Sequence, residues 1–290
     1  MKARRLVSTK NMTHDDWLRW RMQGIGGSDV AAICGMSRYR SPMNVYLDKI
    51  GELPPLDDNP KMKAGRMLEP LIADWFAEET GLKVRRQNAI FQHREHPFML
   101  ANIDRWVPGE NAGLECKNTS EYSSADWEGV EAPAEYIMQC NHYMAVTGAD
   151  RWYLAVLIGG WNFQFRLIER DDDLIRMLID VEREFWNEHI VAKVPPSFSH
   201  QDTEHLALLY PESDPESFVN LPEEQAWPIM QKFFEARKAI KAAEEQEETA
   251  KNQIKGMMGQ AERAYYQGDL RFTWKTGKRS RTFRVVGGEE

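Results

Sequence analysis

Cysteine is scarce in this chain: only Cys34, Cys116 and Cys140 occur in 290 residues. The number is odd, the spacings are wide and no C-x-x-C is present. That argues against a disulfide framework, and against a zinc or iron–sulfur centre made by this chain alone. Long apolar runs are also missing. No stretch approaches the ~20 residues that a bilayer span requires. The basic first residues lack the apolar core of a secretory signal, so a cytosolic protein without membrane contact is expected. Positive charge is in deficit, the net charge being −8. Phosphate binding needs positive charge, but a net value describes the whole surface and not one groove. A cluster of metal-binding carboxylates would itself pull the total negative, so the deficit weighs only weakly against a nucleic-acid ligand. Internal repeats and low-complexity tracts are absent.

What is present is enough apolar material, 42%, for a buried core, arranged as alternating helical and strand-like patterns. Helices are predicted over residues 15–22, 29–34, 41–49, 67–80, 134–147 and 171–191. In the fourth, Leu68, Leu71, Ile72, Trp75 and Phe76 recur at helical spacing and Gly81 follows as the stop. Strands are predicted over 83–92, 98–107, 113–119, 151–158 and 163–169, and a loop over 53–60. The fold class is α/β (α+β), with a central mixed sheet flanked by helices. The character changes after Pro195-Pro196. Residues 1–196 read as a core, 197–222 as a polar, proline-containing linker, and 223–290 as a second module. The second module is a long charged helix followed by a basic β-hairpin.

The chemically informative stretch is Asp104 followed by Leu114-Glu115-Cys116-Lys117. Residues two apart in a strand share a face, so Glu115 and Lys117 project together while Leu114 and Cys116 turn to the core. Asp104 lies on the preceding strand, where a hairpin could bring its carboxylate beside Glu115. Two converging carboxylates make a hard oxygen site suited to Mg²⁺ or Mn²⁺. A neighbouring lysine can orient or deprotonate water and offset phosphate charge. Alternating charge is also the ordinary pattern of a solvated strand face, and the spacing alone leaves both readings open. Glu69, read as lying near the start of its helix, could be an ordinary first-turn acid or could point at the metals. The cluster Gly24-Ile25-Gly26-Gly27 follows a helix and lacks the G-x-G-x-x-G spacing, so it is not a dinucleotide fingerprint. His93, His96 and His142 lack metal-ligand spacing and read as satisfied or surface histidines.

Glu69, Asp104 and Glu115-Cys116-Lys117 together resemble the PD-(D/E)xK nuclease signature. Four further segments resemble motifs of the YqaJ-type viral recombinases, the group that includes the phage lambda exonuclease. They are Gly24-Ile25-Gly26-Gly27-Ser28-Asp29-Val30-Ala31-Ala32-Ile33, Met67-Leu68-Glu69-Pro70, Met99-Leu100-Ala101-Asn102-Ile103-Asp104, and Gln139-Cys140-Asn141-His142-Tyr143. The resemblance runs from about Trp17 to His189 and implies a restriction-endonuclease-like core. It implies digestion of one strand of linear duplex DNA from its 5′ end with two Mg²⁺ (or Mn²⁺) ions per site, leaving a 3′ single strand for recombination by annealing. By the same resemblance, Glu69, Asp104 and Glu115 are metal carboxylates and the Cys116 backbone carbonyl is a further ligand. Lys117 activates the attacking water, and Gln139 supports the site from a helix. Arg21 and Ser28 bind the terminal 5′-phosphate, and Arg38 grips the DNA. Ser28 has an independent warrant, since it reads as the N-cap of a helix whose free N–H groups favour an anion.

The implied partners are double-stranded DNA ends, further copies of the chain in a ring of three, and a single-strand annealing protein. The implied setting is a phage or prophage protein in the bacterial cytosol. Two other functions stay open: a structure-specific endonuclease of the same class, and a non-catalytic DNA-binding protein on a nuclease fold. The C-terminal module lies outside the resemblance to the lambda enzyme. Its alternating basic and aromatic residues, 270–275 and 281–285, fit a half-buried hairpin or a ribbon that touches DNA or a partner.

Overall fold

In the computed structural model, which describes residues 3–54 and 59–287, the chain divides into two compact units, residues 1–213 and 214–290. The first unit opens with β1 (Arg4–Ser8), α1 (His14–Arg21), β2 (Ile25–Gly26), α2 (Gly27–Ile33), α3 (Pro42–Ile50) and α4 (Pro60–Thr80). Four strands follow: β3 (Ala89–Gln92), β4 (Met99–Ala101), β5 (Arg105–Val107) and β6 (Ala112–Thr119). A 3₁₀ turn (Glu121–Trp127) and α5 (Ala134–Thr147) lead to β7 (Arg151–Ile158) and β8 (Asn162–Glu169). The unit closes with α6 (Asp172–Phe185), continued by a π turn (Trp186–Val191), and α7 (Thr203–Leu209). Among the described residues no helix is long and apolar enough to cross a membrane.

The architecture is mixed α/β, as expected, but the strands form two four-stranded sheets where one central sheet was expected. Their orders are β1-β3-β4-β2 and β5-β6-β7-β8. The residues expected as one strand over 98–107 are split, because the chain leaves β4 at Asn102 and enters β5 of the other sheet at Arg105. β6 and β7 are parallel, with Glu115 opposite Leu154 and Lys117 opposite Val156. A parallel pair needs a crossover of a dozen or more residues, and the 3₁₀ turn and α5 supply it.

Period-2 alternation along β7 buries both faces of this sheet. Trp152, Leu154, Val156 and Ile158 pack with Cys140, Tyr143 and Met144 of α5. Tyr153, Ala155 and Leu157 pack with Ile72, Ala73 and Phe76 of α4. Leu114 and Cys116 of β6 belong to the α4 side. Glu115 and Lys117 therefore face α5. A third cluster joins α2, α3 and α6 through Val30, Met43, Leu47, Leu178 and Phe185.

Several boundaries differ from expectation for local reasons. α4 begins at Pro60 and not near 67, because Asn59 accepts the Met62 N–H as N-cap and Pro60 sits in the first turn. The exposed Lys61 and Lys63 of this turn carry no apolar signal. Glu69 is consequently mid-helix, and the reading as a first-turn acid fails. The expected loop 53–60 lies partly outside the described residues, at 55–58. The segment expected as linker from residue 197 is packed against the first unit up to residue 213. The buried Asp202 accepts from the Ser41 hydroxyl at the start of α3, and from the Ser199 N–H and hydroxyl at 2.6 and 2.7 Å. A polar stretch reads as a linker when its one buried carboxylate cannot be seen.

The second unit contains α8 (Glu223–Met258), β9 (Arg263–Tyr266), β10 (Asp269–Thr276) and β11 (Arg281–Val285). The last three form an antiparallel sheet of order β11-β10-β9, one strand more than the expected hairpin. Tyr266 and Asp269 pair across Gln267-Gly268, both at positive φ, the backbone of a two-residue hairpin turn.

Candidate active site

β5 and β6 pair only from Arg105–Leu114 to Val107–Ala112, so the edge of β6 beyond Leu114 has no strand beside it. Asp104, at the break between β4 and β5, fills that place, and its Oδ2 accepts the Cys116 N–H at 2.9 Å. A residue's N–H and C=O point to the same side of a strand, so the Cys116 carbonyl is presented on that edge too. Glu115 is 5% exposed. Its Oε1 accepts from Gln139 Nε2 of α5 and from Lys117 Nζ, both at 2.7 Å. Its Oε2 is buried and, among the described residues, has no hydrogen-bond partner. Gln139 also donates to the Tyr143 hydroxyl at 3.0 Å, and Lys117 Nζ lies 5.1 Å from the Tyr136 ring centroid.

Burial and the charges of Glu115 and Glu69 push the Asp104 carboxyl well above its ordinary pKa. Burial alone would lower the Lys117 ammonium, but Glu115 and Asp104 outweigh it and the net shift is upward. Two acids sharing a buried site, one of them resisting ionisation, with one protonated lysine paired to Glu115, form a site short of positive charge.

These groups line a cavity of about 190 Å³ together with Trp17, Arg21, Gly26, Gly27 and Ser28. The glycine-rich turn enters α2 with Gly26 as N-cap, so Ser28 is inside the helix and the expected Ser28 cap is corrected. The reason is Asp29, which is fully buried and accepts the Gly26 N–H at 3.0 Å. Three cations surround this carboxylate: Lys49 and Arg40 at 2.7 Å, and Arg21 at 3.6 Å. Although burial opposes ionisation, they hold Asp29 well below the usual carboxylate range. Lys49 also donates to the Arg21 carbonyl at 3.1 Å, and Arg21 Nη2 donates to Ser28 Oγ at 3.0 Å. Asp48 also pairs with Arg40 and Lys49, at 3.4 and 3.8 Å, so three cations face two carboxylates and the cluster beside the cavity keeps a net positive charge. Gly27 is required by packing: a Cβ there would come within 2.6 Å of the Tyr143 ring and 3.0 Å of Gln139 Cγ.

Asp104, Glu115, Lys117, Gln139, Arg21 and Ser28 thus line one cavity. Glu69 does not. It lies on α4, which covers the other face of the sheet, and its carboxylate pairs with Arg105 at 2.5 Å and Arg86 at 3.7 Å. Arg105 in turn donates to the Asp104 carbonyl at 2.8 Å, so Glu69 reaches the site through that arginine. Arg38 is also outside the cavity, exposed and held by Asp126 through two bonds of 2.9 and 2.8 Å. Asp29, Arg40, Lys49, Trp17 and Tyr143 received no role from sequence reasoning. A carboxylate heading the otherwise apolar run Val30-Ala31-Ala32-Ile33 was the available signal for Asp29.

Residues 16–150 match the model of the YqaJ-like viral recombinase domain. The chain is 37% identical to the uncharacterized protein YqaJ of Bacillus subtilis (strain 168) over 279 residues, 94% of this chain and 87% of that one. Among solved structures it is similar to an alkaline exonuclease (LHK-Exo) from Laribacter hongkongensis. The TM-score is 0.53 at 22% identity, covering 61% of this chain and 93% of the other. The complex of LHK-Exo with dAMP gives 0.52 at 21% over the same shares.

Proposed function

This chain belongs to the family of YqaJ-like viral recombinases and has a nuclease fold of the alkaline exonuclease type, and on that premise we propose that it is a divalent-metal-dependent exonuclease. It digests one strand of linear duplex DNA in the 5′-to-3′ direction and leaves a 3′ single strand for recombination by annealing. The observation that carries this reading is the juxtaposition of Asp104, Glu115, Lys117 and Gln139 in one cavity that Arg21 and Ser28 also line.

Among the described residues no three His, Cys, Asp or Glu side chains converge closely enough to hold a metal by themselves. The residues nevertheless fit a cation. The buried, unpartnered Glu115 Oε2, the electrostatically crowded Asp104 and the edge carbonyl of Cys116 are all hard oxygen donors. Glu69 would join them by giving up Arg105. Mg²⁺ or Mn²⁺, two per site, would neutralise these carboxylates and polarise the scissile phosphate.

The chain's own groups do the rest. Gln139 fixes the Glu115 carboxylate from α5. Lys117 Nζ holds a proton while Glu115 and Asp104 carry charge. Once that charge is offset, Nζ can release its proton and take one from the attacking water. Arg21 and Ser28 bind the terminal 5′-phosphate, with Asp29, Arg40 and Lys49 holding the wall in place, and Arg38 contacts DNA farther out. The assembly we favour is a ring of three chains around duplex DNA in the bacterial cytosol, working with a single-strand annealing protein.

The test is digestion of linear duplex carrying 5′-phosphate or 5′-hydroxyl ends, with and without Mg²⁺, following each strand separately. Metal-dependent loss of the 5′-phosphorylated strand is expected. Equal cleavage of closed circular DNA would instead assign an endonuclease.

A further inference from the structure

The two faces of the sheet β11-β10-β9 differ. Successive side chains in a strand point to opposite sides, and the register sorts them. On one face Trp274 pairs with Phe283, and Phe272 lies opposite Val285 and Ala264. That face is used inside the second unit. The Arg281 guanidinium lies 3.7 Å from the Trp274 ring centroid and donates to the Gly259 and Ala261 carbonyls at 2.7 Å. Lys255 of α8 lies over Phe283 at 5.7 Å.

The other face carries Thr273 on the middle strand, itself only 9% exposed, with Arg263 opposite it on β9 and Arg284 opposite it on β11. Lys275 and Thr282 form the next pair along. Tyr265 shares the face of Arg263, two residues away. Arg263, Lys275, Thr282 and Arg284 are exposed, and Tyr265 is 60% exposed. Among the described residues Arg263, Lys275 and Arg284 have no ion pair or side-chain hydrogen bond, whereas Arg271 is held by Asp269 at 3.5 Å. Residues 259–287 contain seven lysines and arginines against Glu262 and Asp269, in a chain whose net charge is −8.

Each of these cations lies opposite a threonine and not opposite a carboxylate, so the row presents uncompensated positive charge to which an anionic ligand can bind. Arg263 and Arg284 are two strand spacings apart, about 10 Å, and Lys275 is displaced along the strand. That distribution suits the repeated charges of a nucleic-acid backbone, which is contacted by Arg, Lys and Thr side chains, better than one small ion. An exposed tyrosine beside the cations adds a flat surface for an unpaired base. In a duplex the base faces are already stacked on one another.

We propose that the exposed cations of this face bind single-stranded nucleic acid, with phosphates on Arg263, Lys275 and Arg284 and a base on Tyr265. The proposal does not depend on the nuclease reading. The full chain is titrated in EDTA, so that digestion plays no part, against fluorescein-labelled oligothymidylate, with anisotropy as the readout. The combined variant Arg263→Glu, Lys275→Glu, Arg284→Glu should bind at least tenfold more weakly. Its slope of log affinity against log salt should be shallower by about 2, at ~0.7 per lost phosphate contact. Tyr265→Ala should weaken binding several-fold and Tyr265→Phe should not. A 5-bromouracil oligonucleotide should photocrosslink to the tryptic peptide 264–271. This last measurement and the Tyr265 pair decide the matter even if the triple variant misfolds. Affinity within twofold of wild type in a folded triple variant, crosslinks confined to residues outside 259–287, or equal binding of a hairpin duplex would overturn the proposal.

Discussion

Gln139 Nε2, on α5, donates to Glu115 Oε1, on β6, at 2.7 Å, and this bond fixes the orientation of the cavity-lining carboxylate whose second oxygen is buried and, among the described residues, unpartnered. Gln139→Ala should therefore act through Glu115. We expect digestion of linear duplex to slow by about 10- to 100-fold, the range for outer partners of metal ligands, mainly in kcat and with a raised Mg²⁺ requirement. Glu115→Gln should abolish digestion without unfolding the protein. A Gln139→Ala enzyme with wild-type metal dependence would remove the positioning role.

Lys117 Nζ pairs with Glu115 at 2.7 Å, and the charges of Glu115 and Asp104, outweighing burial, raise its pKa. Lys117→Ala should lose digestion by about 10²- to 10⁴-fold, the usual range for proton-transfer groups, while DNA binding in Ca²⁺ or EDTA persists. Gel-shift and digestion assays on the same preparation separate the two effects.

Asp29 contributes to acid stability. Its carboxyl is held below the ordinary range by Lys49, Arg21 and Arg40. The folded state thus binds fewer protons than the unfolded chain between the folded pKa and the unfolded value near 3.9. Its contribution is complete above that window and is lost as pH falls through it. Asp29→Asn should flatten the acid limb of a melting-temperature profile. Asp29→Ala should cost roughly 3–5 kcal/mol at neutral pH, because it strands the buried Lys49, and should weaken any preference for a 5′-phosphate.

His142 reports on pH from the opposite side. It is fully buried, with Nδ1 2.8 Å from Glu182 Oε1 and Nε2 2.8 Å from the Leu100 carbonyl. The carbonyl can only accept, so Nε2 carries a hydrogen and the second proton is shared with Glu182. Burial opposes the charge, but Glu182 outweighs it and the His142 pKa is raised. The folded state binds more protons than the unfolded chain between the unfolded value near 6.5 and the raised folded one. This contribution is complete below the window and is lost as pH rises through it. Denaturant melts from pH 6 to 9 should show it, and His142→Gln should remove the slope. A slope unchanged in that variant would assign the pH dependence elsewhere.

Much of the fold was readable because it rests on periodicity. The ends of α5 and β7 coincide with the predicted 134–147 and 151–158, where an αL glycine at 148 stops the helix and β-branched and aromatic residues follow. β1 and α7, of five and seven residues, are too short to display a period, and the first turns of α4 carry Lys61 and Lys63 in place of an apolar signal; these were missed or shortened. The sharing of one face by Glu115 and Lys117 followed from the strand period, and Asp104 joined them as the hairpin argument allowed.

The sequence by itself determined the order of elements, the family motifs and the pairing of Glu115 with Lys117, since each depends on neighbours in the chain or a period of two. Only the tertiary structure decided how Glu69, Asp104, Glu115 and Lys117 divide. The sheet is covered on both faces, so α5 delivers Gln139 to Glu115 while α4 carries Glu69 to the other side and into the hands of Arg105. The same holds for Asp29. Its three cations come from α1, α3 and the turn before α3, and no local pattern in the sequence could show that they meet on one buried carboxylate.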